Sequence, residues 1–577
     1  KQKIVISKRT NCIIGLGLLL SVVYLYFHQY SFISKTQPQA ISRFLSKFSI
    51  LSVLGIAAVT CFIFYAYWEK SQKSQLEKMI RMALAAVILV LAAVLLKTGY
   101  LLSQVGITAM LYLSILFILN FKISRLSMIV VSVLTIFEFG YNAYLSQVTF
   151  GYDDVHKFAD ATVSVKRVTD NIQENADQKF YRIATDFAYS RTVPSLVSYP
   201  GLSTFSSSLE RSTMDHFAFM GDLGVNAATQ YSNGTPLTDA LYGVRYFMSA
   251  KDFDPKEIEA NPDKMYFYRF TDRFDLHRYF TDKVYEDKRY VVYKNPNSFP
   301  LAYGTNSLVR NIQFGANNAF ANQNIILNSM EGHQKANNDT VEYFKPLAFS
   351  SIETENVIEE KVNKETGEAI YKRADSSKDA IIRYKVTPRT NYTYYFFTPV
   401  SLIQNQDYSV LLNNKWLLNA KIFTQRQIWQ LTDQTENQET VIEFRFRTDH
   451  IDMSNAGVYR ADVDQIQQVL ENRKKQGLQV TKFSNTHIVG DVSITDDSNY
   501  MMTSIPYSDG WKVKVDGKFV KTEKAWNAFL SFPISKGNHK VEFVFRQKGV
   551  ILGALLSIVS VAYLVIQMRR SRSDEGQ

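Results

Sequence analysis

The chain has 577 residues, of which 46% are hydrophobic and 21% charged, so its composition excludes a disordered or collagen-like protein. Its formal net charge is +11, but the basic excess lies in residues 1–146 and 548–577, beside apolar segments, while residues 147–547 are close to neutral. Because the charge is placed in this way, it indicates a membrane protein and excludes a general nucleic-acid surface.

Six apolar segments are long enough to cross a bilayer, which needs roughly 17–25 mostly apolar residues in a helix. They contain no charged side chain except Arg81 in the third and Glu138 in the fifth. The segments are residues 11–27, 48–68, 79–96, 100–119, 127–144 and 549–567. They predict a polytopic α-helical membrane protein with five transmembrane helices in residues 1–146 and a last one in residues 548–577, followed by a basic tail.

The positions of Lys and Arg between these segments predict the orientation. With both ends of the chain inside, thirteen basic residues lie on the cytoplasmic side and four lie outside. The four are Lys35, Arg43, Lys47 and Lys97. We therefore expect a multi-pass protein of the cytoplasmic membrane whose large domain, residues 147–547, is exported. Cys12 and Cys61 both fall in apolar segments, so this domain has no disulfide, which favours a Gram-positive bacterium.

The loop between the first two segments contains an amphipathic pattern. In residues 41–48 apolar residues recur with helical spacing, and Arg43 and Lys47 lie on the opposite face. This predicts a helix in the headgroup layer whose cations meet lipid phosphates in general. The alternative is a clamp for one particular lipid phosphate, to which Lys35 would contribute more weakly.

The exported domain divides into two parts. Residues 147–310 mix alternating runs with helical patterns, which predicts an α+β module. Residues 311–547 are rich in alternating runs with Tyr and Phe, which predicts an antiparallel β-sandwich of the jelly-roll type. Within it, Asp516-Gly517 predicts a tight hairpin, and residues 461–476 predict one helix with Gly477 as its C-cap.

Several stretches resemble the YfhO family of bacterial membrane proteins. LTDALYGVRYFMSA (237–250) is similar to a family segment but has Arg245 where the family has lysine, and YKNPNSFPLAYG (293–304) has Lys294 where the family has glutamate. The other similar stretches are IPYSDGWKVKVDGK (505–518), KGNHKVEFVF (536–545), GVILGALLSIVSV (549–561), AFANQNIIL (319–327) and THIVGDV (486–492).

The resemblance implies a glycosyltransferase C-like membrane protein that adds a sugar from a polyprenyl-phosphate carrier to lipoteichoic acid or a related wall polymer. It implies as partners membrane lipids, the carrier-linked sugar, the polymer and proteins that make and flip the donor. Enzymes of this kind usually take a catalytic carboxylate from the first outer loop, but the outer loops at residues 28–47 and 97–100 contain no Asp or Glu. Since family members are longer, we expect the chain to be a C-terminal portion with the usual acid upstream of Lys1.

Transfer from a lipid-phosphate sugar to a hydroxyl needs a carboxylate to accept the proton and cations to stabilise the departing phosphate. The eligible acids in this chain are Glu138, inside the fifth segment, and Asp153 and Asp154, just beyond it. A carboxylate within a span is a functional candidate, although Glu138 would also fit a hydrogen bond to a neighbouring helix. Asp153 and Asp154 would also fit a solvated start to the exported domain.

A further polar group lies in SSSLERSTMDHF (206–217), where Glu210, Arg211, Asp215 and His216 fall within seven residues. It is either part of an acceptor-binding site or an ordinary surface pair. The eight histidines show no metal-ligand spacing, and there is no Gly-rich phosphate loop or serine nucleophile elbow. We therefore expect no metal or nucleotide cofactor.

Two hypotheses follow from these patterns. The first is an envelope glycosyltransferase whose exported domain binds the polymer while the membrane part holds the donor. The second is a non-catalytic membrane scaffold whose sandwich recognises a wall polymer or a partner protein. A carboxylate in an outer loop upstream of Lys1 would favour the enzyme.

Overall fold

The structure is a computed structural model that divides into two compact units, Lys1–Asp153 and Asp154–Gln577. It describes residues 88, 112, 125–149, 155–225, 227–231, 234–251, 268–269, 273–280, 282–315, 318–334, 338–363, 367–389, 392–398, 408–419, 428–432, 438–495 and 498–574.

The described part of the first unit is mainly a helix, α1 (Arg125–Thr149). Its stretch Met128–Tyr144 is apolar, and large side chains such as those of Ile136 and Phe139 are exposed. A helix whose exposed side chains are mostly apolar is favoured by apolar surroundings.

The second unit begins with a module of helices and short strands, residues 155–294, here called the mixed module. Its main sheet has the order β1-β6-β9-β8, in which β1 and β6 are parallel and the other pairs antiparallel, and α2 packs against it with Val165, Val168 and Ile172. The elements are α2 (Val155–Glu174), β1 (Arg182–Thr185), β2 (Phe187–Ala188), α3 (Val193–Val197), β3 (Thr204–Phe205), α4 (Arg211–Phe219), β4 (Leu223–Val225), β5 (Ala228–Gln230), α5 (Pro236–Leu241), β6 (Val244–Ala250), β7 (Tyr268–Arg269), α6 (Leu276–Tyr279), β8 (Asp282–Glu286) and β9 (Tyr290–Lys294).

After the mixed module the chain forms β10 (Ala302–Thr305), the short 3-10 helix Ser307–Asn311 and α7 (Ala319–Glu331). The side chain of Asn318 accepts a hydrogen bond from the backbone N–H of Ala321, and Gly332 ends the helix with a left-handed conformation. Both ends of α7 are therefore capped by the residue types that suit them.

Residues 344–462 form the first sandwich. The sheet β12-β15-β20-β17-β18 packs against the sheet β11-β22-β16-β19, and their shared core is rich in aromatic residues such as Trp429 and Phe444. Burial alternates strictly along β15, as expected for a strand with one face in a core. The strands are β11 (Phe344–Leu347), β12 (Ser351–Glu355), β13 (Val357–Asn363), β14 (Glu368–Arg373), β15 (Ala380–Val386), β16 (Tyr392–Phe397), β17 (Tyr408–Leu412), β18 (Lys415–Asn419), β19 (Ile428–Thr432), β20 (Thr440–Phe446), β21 (His450–Asp452) and β22 (Gly457–Asp462).

The predicted helix follows as α8 (Val463–Lys474). Asp462 caps it by accepting a hydrogen bond from the Gln465 N–H at 3.2 Å. The sequence predicts Gly477 as the C-cap of this helix. The C-cap is instead Lys475, which has a right-handed conformation. Gly477 instead allows a close approach, since a Cβ there would lie 2.4 Å from Cγ of Pro300.

The remaining strands form the second sandwich. Its sheets are β10-β25-β29-β28 and β23-β24-β30-β26-β27. The predicted hairpin is confirmed: β26 and β27 are joined by Asp516 and Gly517, with φ of 50° and 78°. The strands are β23 (Gln479–Phe483), β24 (His487–Ile494), β25 (Tyr500–Pro506), β26 (Trp511–Val515), β27 (Lys518–Val520), β28 (Glu523–Ala525), β29 (Phe529–Pro533) and β30 (Gly537–Phe545).

The first sandwich is inserted into the second. Strand β10 precedes residues 344–462 in the chain, but Ala302 pairs with Thr503 in β25. One core joins the mixed module, α7, α8 and both sandwiches, with Phe247, Phe320, Ile466, Tyr395 and Phe529 as examples. These parts therefore pack as one body in the second unit.

The described chain ends in α9 (Val550–Asp574), five residues after β30. Its stretch Val550–Gln567 has a mean hydropathy of 2.3, and its apolar side chains are exposed. By length and composition it is a candidate membrane span.

The predicted fold class, a polytopic α-helical membrane protein with an exported α+β and jelly-roll-like domain, was wrong. In the part of the chain that the structure describes, strands predominate, and only Val550–Gln567 is long and apolar enough to cross a membrane. Four predicted spans, residues 11–27, 48–68, 79–96 and 100–119, lie outside the described residues, apart from Ile88 and Tyr112.

The physical reason lies in how the apolar residues are arranged. The prediction of the fold class relied on long runs of high hydropathy, which identify helices. The described strands are at most nine residues long, and in strands such as β15 buried positions alternate with partly exposed ones, so they form no apolar run of the length that marks a membrane helix. Alternation also did not show that the strands belong to two sandwiches, because the partner of β10 is distant in the chain.

Candidate functional site

The polar group predicted in the mixed module is split by the structure. Glu210 and Arg211 are exposed at the start of α4, and Arg211 Nε lies 3.6 Å from Asp215 Oδ2. The two side chains are separated by one helical turn and are open to solvent, so the pair contributes little to stability. Arg211 and Asp215 therefore form an ordinary surface pair, and Glu210 is an exposed carboxylate beside it.

His216 points the other way, into the central core. Successive helix residues are rotated by about 100° around the axis, so His216 is 1% exposed although Asp215 lies at the surface. Its ring is surrounded by the rings of Tyr242, Phe314, Trp526 and Phe529.

This environment keeps the imidazole neutral. Neither ring nitrogen has a hydrogen-bond partner among the described residues. Burial lowers the pKa of His216 to about 3, because the charged form would lose its hydration without gaining a partner. His216 therefore does not work with Asp215 as an acid–base pair.

Glu138 is the predicted catalytic residue that the structure describes. Its side chain lies in the apolar helix α1, is 8% exposed, and accepts a hydrogen bond from Asn142 Nδ2 at 2.6 Å. Asn142 follows one turn later, so the helix itself orients the carboxylate. The other predicted residues, Asp153, Asp154, Lys35, Arg43 and Lys47, lie outside the described residues.

A buried ionic cluster in the second unit was missed from the sequence. The Arg273 side chain is completely buried and donates to both carboxylate oxygens of Asp239, at 3.2 and 2.6 Å, and to both of Asp275, at 2.8 and 3.1 Å. The Tyr231 hydroxyl donates to Asp239 at 2.6 Å. The guanidinium carbon Cζ of Arg273 lies over the Phe247 ring, 5.1 Å from the centroid of that ring. Every charged group in this cluster thus has a partner.

The electrostatics of the cluster reflect its burial. Burial raises the pKa of the Asp239 carboxyl, and the nearby Arg273 opposes this effect. Burial also acts to lower the pKa of Arg273, but the two carboxylates outweigh it and hold that pKa well above its usual value. The guanidinium therefore stays charged and is fixed between two acids.

The cluster connects the mixed module to the first sandwich. Gln430 in β19 accepts a hydrogen bond from the Asp275 N–H at 3.1 Å and donates to the Gly234 carbonyl at 3.3 Å. A Cβ on Gly234 would lie 2.1 Å from Nη1 of Arg273, so only glycine allows this approach. Because its charged side chains are inaccessible to solvent, the cluster serves to hold the fold together. The closeness of Arg273 and Asp275 in the sequence could have indicated the contact between these two residues, but nothing in the sequence indicated the contact with Asp239.

Among the described residues, no group of three or more His, Cys, Asp or Glu side chains is arranged to hold a metal ion.

Comparison with known proteins identifies the family. Residues 7–557 match the model of the family described as bacterial membrane protein YfhO. The chain belongs to the YfhO family. This confirms the resemblance seen in the sequence, and it places the chain among bacterial membrane proteins.

A curated relative in this family is the uncharacterized protein YfhO of Bacillus subtilis (strain 168), which is 26% identical over 121 residues. The match covers 21% of this chain and 14% of the length of that relative.

Two solved structures of a β-glucuronidase from Ruminococcus gnavus, with an N1-substituted uronic isofagomine and with D-glucuronic acid, each align with 36% of this chain and 46% of theirs. Their sequence identity to this chain is 8% and the TM-scores are 0.14 and 0.13, which are too low to indicate a shared fold or function.

Both Glu138 and the buried Arg273 cluster lie within the region that matches the YfhO family. In this membrane protein the first is a carboxylate in an apolar helix and the second a sealed connection between modules of the sheet-rich part.

Proposed function

We propose that this YfhO family protein transfers a sugar from a polyprenyl-phosphate donor to lipoteichoic acid or a related wall polymer on the outer side of the cytoplasmic membrane. The observation that carries the proposal is the nearly buried carboxylate of Glu138 in the apolar helix α1. A carboxylate is expensive to place in such a helix, and those that occur there usually have a function.

Glu138 has a defined role in the proposed reaction. The acceptor hydroxyl attacks the anomeric carbon of the sugar while the Glu138 carboxylate takes the hydroxyl proton. The bond between the anomeric carbon and the phosphate oxygen breaks, and the polyprenyl phosphate leaves with the electron pair. Asn142 holds the carboxylate through its amide N–H. Asp153 and Asp154, which follow α1, are the second choice for the same role.

Cations must stabilise the phosphate as it leaves. In the proposal these are Arg43 and Lys47 of the amphipathic stretch, with a smaller contribution from Lys35. The proposal also places the sheet-rich part outside, with the apolar stretches of α1 and α9 in the membrane and the basic residues after Val550–Gln567 inside.

Glu138→Gln tests the proposal, because glutamine keeps the size of the side chain and an oxygen for Asn142 but cannot take a proton. The full-length gene carrying this change is returned to a strain that lacks it, and the sugar content of purified lipoteichoic acid and wall polymers is measured by NMR. We expect the sugar to be lost as fully as in the deletion strain, with the protein present in membranes at the wild-type level.

The matched control is Asp170→Asn. Asp170 also pairs with a residue one helical turn away, Lys166 at 2.7 Å, but it is exposed in the mixed module. We expect this variant to restore the sugar. Full decoration in the Glu138→Gln strain would refute the role of Glu138. An unchanged sugar profile in the deletion strain would refute sugar transfer itself and favour the non-catalytic scaffold.

A further inference from the structure

Three basic side chains gather around one carboxylate at the edge of the mixed module. Arg245 lies near the start of β6, Lys294 at the end of β9, Lys474 at the end of α8, and Asp177 in the loop after α2. We call these four residues the Asp177 cluster.

The contacts fix the positions of the cations. Asp177 Oδ2 lies 3.0 Å from Lys294 Nζ, and Asp177 Oδ1 accepts from Arg245 Nε at 3.3 Å. Arg245 Nη1 also donates to the Asn295 carbonyl at 2.7 Å, and Lys474 Nζ donates to the Pro296 carbonyl. The three cations are thus held together by one carboxylate and by two neighbouring carbonyl groups of the loop after β9.

The cluster carries surplus positive charge. Its three cations share the single carboxylate of Asp177, and Glu471, one turn before Lys474, adds a further negative charge near Lys474. Burial lowers the pKa of Lys474, and the charges of Arg245 and Lys294 lower it further. Burial acts to raise the pKa of Asp177, but Arg245 and Lys294 outweigh it and hold this pKa at about 2. The carboxylate is therefore charged and already paired with these two cations.

Two of the three basic side chains are partly accessible to solvent. The side chain of Lys294 is 26% exposed and Lys474 is half-buried, while Arg245 lies behind them at 8%. Two ammonium groups in front of a guanidinium suit an anion with several oxygens, since lysine binds phosphate as a point charge and arginine as a fork.

The cluster lies where the mixed module meets the second sandwich. Lys179, two residues after Asp177, donates through Nζ to the Thr481 carbonyl in β23, and the ring of Phe180 packs against that of Phe483, with 5.9 Å between the ring centroids. Lys474 precedes β23 by five residues. The cations are therefore presented by two parts of the fold that pack against each other.

We propose that Lys294 and Lys474, supported by Arg245, bind a phosphodiester group of the acceptor polymer. The site holds the polymer where the mixed module meets the second sandwich, on a part of the molecule remote in sequence from Glu138. The identity of the polymer rests on the proposed function, but binding of a phosphodiester chain does not.

The test uses full-length protein in neutral nanodiscs and synthetic glycerol phosphate oligomers, with binding measured by calorimetry at two salt concentrations. We expect salt-dependent binding that is about tenfold weaker in the Lys294→Gln/Lys474→Gln variant. The matched control is Lys166→Gln/Lys283→Gln, which removes two exposed lysines of the mixed module that each have their own acid. This control should bind within about twofold of the wild type, and thermal melting should show that all variants are folded.

Equal weakening in both double variants would overturn the site, because the effect would then be one of total charge. Equal binding of an uncharged dextran would overturn the phosphodiester, and lysine-dependent binding of phosphatidylglycerol vesicles in place of the oligomers would assign the site to lipid. If the deletion strain keeps its polymer sugars while the oligomers still bind through the two lysines, the proposed function fails and this site stands. If sugar transfer requires Glu138 but the oligomers do not need the lysines, only this site fails.

Discussion

The imidazole of His216 is parallel to the indole of Trp526, with 3° between the planes and 5.8 Å between the ring centroids. His216 belongs to the mixed module and Trp526 to the second sandwich, and the indole Nε1 donates to the Val309 carbonyl at 3.0 Å. A titratable ring thus lies in the contact between two modules.

We expect this contact to weaken in acid. The pKa of His216 is lowered to about 3 in the folded protein and is near 6.5 in the unfolded chain, so the unfolded state binds the proton first. Stability should fall as the pH decreases from about 6.5 towards 3, by on the order of 4 kcal/mol for this residue. His216→Phe should flatten this dependence. Denaturant midpoints between pH 3 and 7 measure it, and an unchanged slope in the variant would contradict it.

Arg273→Met should strongly destabilise the second unit. The change leaves Asp239 and Asp275 buried without their cation, which costs about 3–5 kcal/mol in unfolding free energy. Because the exposed Arg211 gains little from Asp215, Arg211→Met should change the same quantity by less than about 1 kcal/mol. Adding Asp239→Asn and Asp275→Asn to Arg273→Met should recover part of the loss. Equal effects of the two single arginine changes would argue against the buried cluster.

Gly234→Ala tests the close approach of the backbone to Arg273. The new methyl group would lie 2.1 Å from Nη1, so the guanidinium must move, and we expect a loss of about 1–3 kcal/mol. Gly457→Ala is the control, since its Cβ would lie at an ordinary 3.5 Å from Tyr459. Thermal unfolding of both variants gives the comparison. A Gly234→Ala protein as stable as the control would mean that the cluster adapts without strain.

Gly517→Val should weaken the hairpin between β26 and β27. A β-branched residue is strained at the φ of 78° that this position requires, and we expect a loss of about 1–2 kcal/mol. Lys518→Val places the same side chain on the adjacent strand, where valine is favourable. Hydrogen exchange of the β26 and β27 amides reports the difference. Equal protection in the two variants would exclude backbone strain at Gly517.

Local structure followed from the sequence where one short segment contained all the information. Asp516-Gly517 predicted its hairpin, and Asp462 with the apolar face of α8 predicted that helix within two residues at each end. The alternating residues 380–386 form β15 with those bounds. In each case the side chains that determine the element are neighbours in the chain.

The remaining features depend on distant partners. Arg273 meets Asp239 from 34 residues away, and the direction of His216 is determined by four rings that come from three other segments. For this reason His216 was grouped with Asp215, its neighbour in sequence, although the fold separates them. The predicted roles of Glu138, Asp153, Asp154, Arg43, Lys47 and Lys35 stay predictions.

The insertion of the first sandwich between β10 and the rest of the second has a consequence for biosynthesis. Ala302–Thr305 emerges early, but its partner Tyr500–Pro506 is made only after the whole inserted sandwich. At ordinary rates of translation this delay is on the order of ten seconds or more. The inserted sandwich has its strands in one continuous stretch and can fold during that time, whereas the unpaired edge of the second must be protected from aggregation until the last part of the chain arrives.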